Sequence, residues 1–145
     1  MIAIDSNILI YAHRRDSIWH EPASRSIDDL VASNRPWMIP WPCIHEFYSI
    51  STNPKIYEPA STTAEAISQI NHWLESPTLS LQSEGIDYWS TLQDWLQRLR
   101  IVGPQVHDAR IAVICATSGV DELWSADRDF SRFAQIKVVN PLVRD

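Results

Sequence analysis

The chain has 145 residues, with 12 Lys and Arg against 18 Asp and Glu, a formal net charge of −6, 45% apolar residues and 21% charged ones. That length fits a single domain, 1–145, which can bury about two-thirds of its unfolded surface without a disulfide staple, and the composition excludes a disordered chain. The acidic balance speaks against a general nucleic-acid binder coated in basic residues, an objection that weakens if several carboxylates hold metal.

Met1 to Ile4 is a short apolar run that ends at Asp5 and reads as a buried strand. Residues Asn7 to Arg14 follow with helical character, and His20 to Ser33 gives a second helix. Trp37-Met38-Ile39, fenced by Pro36 and Pro40, is a strand. Pro42 to Ser51 reads as a helix with proline in its first turn, stopped by Asn53-Pro54. The run Ser61-Thr62-Thr63-Ala64-Glu65 resembles a capping box and starts a helix to about Glu75, ended by Ser76-Pro77. Thr78 to Leu81 alternates like a strand. Tyr88 to Leu99 places Trp89, Leu92, Trp95, Leu96 and Leu99 at helical spacing. His107 to Thr117 is a helix ended by Ser118-Gly119. Leu123 to Ser125 and Ile136 to Val139 are the last strands.

Alternation of short apolar strands with helices predicts an α/β domain around a mostly parallel sheet covered on both faces. Ligands in such folds bind beyond the carboxyl ends of the strands, which is where Asp5 and Asp127 fall. Cys43 and Cys115 form no C-x-x-C pair. One disulfide is an alternative, but two buried thiols in a reducing cytoplasm are the expected state. No apolar stretch approaches the roughly 18 residues of a membrane span, and no leader pattern opens the chain, so no membrane association is expected.

Four carboxylates stand out, each with a plainer explanation beside it. Asp5 either serves a site or caps the following helix, a task Ser6 or Asn7 could share. Glu46 lies mid-helix among Ile44, Phe47, Tyr48 and Ile50, either solvated or, if buried, in need of a metal or cation. Asp108 favours a helix start through the helix dipole, yet shares a face with Ile111, Ala112 and Cys115. Asp127 and Asp129 flank Arg128 in a turn, where aspartate is common. Three or four carboxylates from separate elements are what hard divalent cations require, and two such ions can serve phosphodiester hydrolysis.

The run IAIDSNILIYA resembles the opening of PIN-domain nucleases. The Glu46 helix with Ser51-Thr52-Asn53-Pro54 is similar to that family's second acidic segment, and HDARIAVICATSGVDELWSADRDFSRF resembles the third and fourth. The closing IKVVNPL fits as well, and residues 63 to 106 are the least diagnostic part. Among PIN domains the chain resembles the VapC toxins of bacterial and archaeal toxin–antitoxin pairs. This resemblance implies a three-layer α/β/α, Rossmann-like sandwich. It also implies Mg²⁺ or Mn²⁺ held by Asp5, Glu46, Asp108 and Asp127, with Asp129 a further candidate and Asn7 and Ser125 as polar supports. Ser6 departs from the commoner threonine but keeps the hydroxyl. The expected activity is hydrolysis of RNA, with an antitoxin protein and a second copy of the chain as partners.

His45 and His107 precede acidic candidates, but neighbours on a helix point about 100° apart, so neither is expected to bind metal. Arg14, Arg15, Lys55, Arg110, Arg128 and Arg132 are candidate phosphate contacts, and Trp41 a candidate base contact. An HD-type phosphohydrolase needs further histidines at helical spacing, which are missing. A haloacid-dehalogenase-like phosphatase needs an aspartate where Asn7 stands. A catalytically inactive PIN-fold binding module is the remaining alternative, disfavoured because all four acids are present.

Overall fold

The computed structural model describes residues 1–143, so the last two positions of the expected domain lie outside the described residues. Five strands form one sheet: β1 (Ile2–Ile4), β2 (Trp37–Pro40), β3 (Leu79–Gln82), β4 (Glu122–Trp124) and β5 (Lys137–Val139). Their spatial order is β3-β2-β1-β4-β5 and all four pairings are parallel, so the expected mostly parallel sheet is wholly so among the described residues. Six helices connect them: α1 (Ser6–His13), α2 (His20–Ala32), α3 (Trp41–Ser51), α4 (Thr63–Leu74), α5 (Tyr88–Arg98) and α6 (Val106–Thr117). Two short 3₁₀ turns, Gly103–Gln105 and Arg128–Arg132, were not legible as elements in the sequence.

Chain order decides the layers. The path from β1 through β2 to β3 winds one way, then β4 and β5 wind the other way from β1. Right-handed crossovers therefore put α1 to α4 on one face and α5 with α6 on the other. The packing agrees: α1 meets α2 and α3, and α5 meets α6. Every residue of β1 and β2 is buried, as covered faces demand.

Individual residues set the boundaries. Thr62 and Glu65 form a reciprocal capping box that starts α4. Gly119 sits at φ 73° just beyond α6, a left-handed conformation that glycine adopts without a Cβ penalty. Small Ala109 and Ala112 are fully buried with Val113, Ile114 and Cys115, which lets α6 lie close in the core. Phe47 of α3 meets the rings of His13 and Trp73 edge-on, at 5.2 and 5.0 Å, and so joins α1, α3 and α4. Trp95 of α5 stacks on Phe133 at 5.9 Å. Cys43 and Cys115 are both buried and unbridged, as expected of two thiols. No described helix is long and apolar enough to cross a membrane.

Candidate active site

The winding reversal lies between β1 and β4, and a crevice at such a switch point is where open α/β sheets bind ligands. Asp5 follows β1 directly and Ser125 follows β4 directly. The backbone amide of Asp5 donates to Trp124 O at 3.0 Å, which ties the two strand ends together.

Asp5 is 3% exposed. Its Oδ1 accepts from the Ser6 amide at 2.7 Å, and its Oδ2 accepts from the Ser125 hydroxyl at 2.7 Å and the Asn7 side-chain amide at 3.2 Å. The Cys43 thiol lies 3.6 Å from Oδ1. Asp5 is the N-cap of α1, so its capping reading is correct, and burial is compatible with a second task. Desolvation pushes its pKa up to about 6, against the pull of Ser125 and the Ser6 amide, with Glu46 adding repulsion.

Asn7 and Ser125 support this arrangement as a small network. The Asn7 amide also donates to Ser125 Oγ at 3.2 Å, and Asn7 Oδ1 accepts from the Ala126 amide at 3.1 Å. Ser125 Oγ in turn accepts from the Asp127 amide at 3.0 Å. Asp127 Oδ1 accepts from the Asp129 amide at 2.9 Å, so Asp127 also caps its 3₁₀ turn.

Glu46 is exposed rather than buried, so the buried-charge argument does not apply to it. It is held instead by the Ser6 hydroxyl, which donates to Oε1 at 2.6 Å. Sequence reasoning kept Ser6 as a possible helix cap and as a replacement for threonine, and missed this tether and the Cys43 contact; the adjacency of Ser6 to Asp5 was the only signal of the first.

Asp108, Asp127 and Asp129 form the tightest group, each offering a carboxylate oxygen within 4.8 Å of the others. Burial raises the pKa of Asp108, and Asp127, Asp129 and Glu46 raise it further, with Arg132 pulling weakly the other way. Asp5 and Glu46 stand beside this trio, joined through Ser6, and Glu46 is close enough to both parts to repel each. Neither His45 nor His107 enters the trio.

Among the described residues, no Lys, Arg or His lies in an ion pair with any of these five acids. Three carboxylates within reach of one another, with Glu46 near enough to repel both Asp108 and Asp5 and none of the five in an ion pair, fit a divalent cation, and the all-oxygen donor set suits a hard one such as Mg²⁺ or Mn²⁺.

The candidate phosphate contacts divide. Arg14 is buried, donating to Asp16 at 2.9 and 2.6 Å, to Ser61 Oγ at 3.2 Å and to Pro59 O at 2.9 Å, with its guanidinium 4.2 Å over the Tyr57 ring. It is a clamp for the segment before α4. Arg14→Gln is expected to cost about 1–3 kcal/mol of stability in urea titration, with catalysis per folded molecule unchanged. Arg110 is paired with Glu84. Arg15, Lys55, Arg128 and Arg132 are exposed.

A parallel α/β domain with clustered carboxylates, none in an ion pair, at its switch point has the fold and the oxygen donors that a divalent cation needs. The PIN-domain profile matches residues 2–136, and the chain belongs to the PIN-domain family. Relatives include ribonuclease VapC31 of Mycobacterium tuberculosis, 29% identical over 141 residues that cover 97% of this chain and 99% of that protein. Ribonuclease VapC33 of the same organism is 28% identical, covering 98% and 99%. Among solved structures, VapBC2 of Rickettsia felis bound to a promoter DNA fragment aligns with a TM-score of 0.68 at 18% identity, covering 97% of this chain and 98% of that one. The sarcin–ricin-loop-cleaving toxin VapC20 of M. tuberculosis aligns with a TM-score of 0.66 at 19% identity, covering 92% and 95%. The expected fold class holds in this likeness.

Proposed function

We propose that the protein is a Mg²⁺- or Mn²⁺-dependent endoribonuclease that hydrolyses RNA phosphodiester bonds, and that it is the toxin of a type II toxin–antitoxin pair. The observation that carries this reading is the acidic group without paired cations at the β1/β4 switch point. The ribonuclease names of relatives that match nearly the whole chain support RNA as the substrate class.

Asp5, Glu46, Asp108 and Asp127 hold the cation in this reading, and Asp129 belongs with them because it completes the trio. The ion supplies a water of lowered pKa and neutralises charge on the phosphate. Ser125 and Asn7 hold the Asp5 carboxylate in one orientation, and Ser6 does the same for Glu46. Water is the nucleophile, because the site has no activated side chain to replace it. The hydroxyls of Ser6 and Ser125 are committed as donors to carboxylates, and burial pushes the Cys43 thiol far up, keeping it neutral. Exposed Arg128 and Arg132, beside Asp127 and Asp129, can take the flanking phosphates.

A cationic side chain of an antitoxin could pair with the same carboxylates and shut the site. Trp89 is 61% and Ile86 100% exposed, and this apolar face at the start of α5 suits a second copy of the chain. Two buried free thiols accord with a cytoplasmic setting.

Labelled RNA incubated with the protein in Mg²⁺ or Mn²⁺ should be cut internally, and EDTA should stop it. Cleavage that survives EDTA overturns the metal requirement, and no cleavage under any condition overturns the ribonuclease reading. Ser125→Ala removes one donor from Asp5 and should weaken metal affinity about 10–100-fold, read by titrating activity against Mn²⁺.

A further inference from the structure

A cleft of 340 Å³ opens between α3 and α6, immediately beside the carboxylates. His45, Glu46 and Ser49 line it from α3, and His107, Arg110 and Ile111 from α6. Glu46 belongs to both the cleft and the acidic group, and His107 adjoins Asp108, so the cleft continues from the site where a phosphodiester is proposed to sit.

Its two walls differ in chemistry. On α3, His45 stacks on Trp41, one turn earlier, with ring centroids 6.1 Å apart and planes 29° apart. Trp41 is 40% exposed, whereas Trp37, Trp73 and Trp95 are in the core. Core packing therefore accounts for those three indoles and not for Trp41. On α6, Arg110 is held by a hydrogen bond from its Nε to Glu84, which pins the guanidinium and leaves its terminal nitrogens as donors. Ile111 adds a buried apolar surface and Ser49 a hydroxyl. A fixed guanidinium favours a base with two adjacent acceptors, which guanine presents through O6 and N7 and an unpaired cytosine through N3 and O2, and a flat aromatic wall stacks any base but offers most to the larger purine, so the two walls together favour guanine.

From this geometry we infer that the α3–α6 cleft is a nucleobase subsite that selects guanine in the nucleotide next to the cleaved bond. The base stacks on His45, which Trp41 backs from outside the cleft, and Arg110 reads its acceptor edge. The inference rests on the ribonuclease reading for its substrate and goes beyond it in naming the base. Trp41, His45 and Arg110 act here as specificity-determining residues.

The four nucleoside 5′-monophosphates contain no internucleotide bond, so their binding can be read without cleavage. Calorimetric titration of the Mg²⁺-loaded protein should rank guanosine monophosphate tightest. His45→Ala should weaken binding about fivefold or more, as expected when a stacking surface is removed, and Trp41→Ala, which removes only the support behind His45, should weaken it less. Both side chains are exposed, so the thermal midpoint should barely move. Arg110→Gln should erase the preference for guanine and shift the mapped cleavage sites on RNA. Glu84→Gln removes the charge of the pair but keeps a side-chain oxygen to accept from Arg110 Nε, so the guanidinium stays held and the preference should be retained.

Equal binding of all four nucleotides, unaffected by His45→Ala, overturns the subsite whatever RNA cleavage shows. Loss of the preference in Glu84→Gln as well as Arg110→Gln overturns base reading by Arg110 in favour of a structural role. Guanine-selective binding without RNA cleavage upholds the subsite and removes the ribonuclease reading. Cleavage at sites indifferent to Arg110→Gln does the reverse.

Discussion

Asp5→Asn is expected to lower RNA cleavage by about 10²–10³-fold or more while the chain still folds. The substitution keeps the shape of the side chain and an acceptor for the Ser6 amide, but removes the charge that the proposed cation needs. It also has a signature in stability. Burial holds the Asp5 pKa near 6, whereas an aspartate in the unfolded chain titrates near 3.9. The folded state therefore keeps its proton to higher pH than the unfolded one. The stability contributed by the protonated group is fully present below about pH 4, declines as pH rises, and is lost above about pH 6. Its size is about 3 kcal/mol. Urea unfolding of the metal-free wild type and of Asp5→Asn should thus diverge by that amount between pH 4 and pH 8, in favour of the variant at the upper end. Asp16, Glu65, Glu84 and Asp121 work in the opposite direction, because their hydrogen-bond partners hold their pKa down, but both proteins share them. Parallel pH profiles together with full activity would reduce Asp5 to a helix cap.

Saturation with Mn²⁺ should raise the thermal midpoint at pH 7.5. At a hundred times the dissociation constant the linkage is about 2.7 kcal/mol, or roughly 5–11 °C for a chain of this size. The gain should shrink below pH 6, where protons compete for Asp5 and for Asp108, whose pKa is raised by burial and by its acidic neighbours. Asp127→Asn should lose most of the gain at either pH, because it removes one oxygen donor from the trio. Calorimetric scans with and without EDTA measure this. An identical gain at pH 5 and pH 7.5, or one untouched in Asp127→Asn, places the ion elsewhere on the surface.

Local chemistry made much of the architecture legible. The apolar run before Asp5 could only be a covered strand, the Thr62–Glu65 pair marked the start of α4, and Gly119 marked the end of α6. Each depends on residues a few positions apart. Elements whose character depends on distant partners were harder. Arg14 was a candidate phosphate contact and is instead buried, because Asp16, Pro59, Ser61 and Tyr57 together satisfy it. Glu46 was expected to need a cation if buried, yet it is exposed and tied to Ser6, 40 positions earlier. His45 and His107 were set aside as pointing away from the acids, and both line the neighbouring cleft.

By itself the sequence determined which segments become strands and helices, and that acids stand at several strand and helix ends. Periodicity, caps and turn residues act within one or two turns of chain, so they can be read there. Only the tertiary structure decided that Asp129 joins Asp108 and Asp127, that Ser6 links Asp5 to Glu46, and that α3 and α6 enclose a slot beside them. Those relations arise where the winding reverses at β1 and brings residues about a hundred positions apart to one edge, and no local propensity encodes a distance across a sheet.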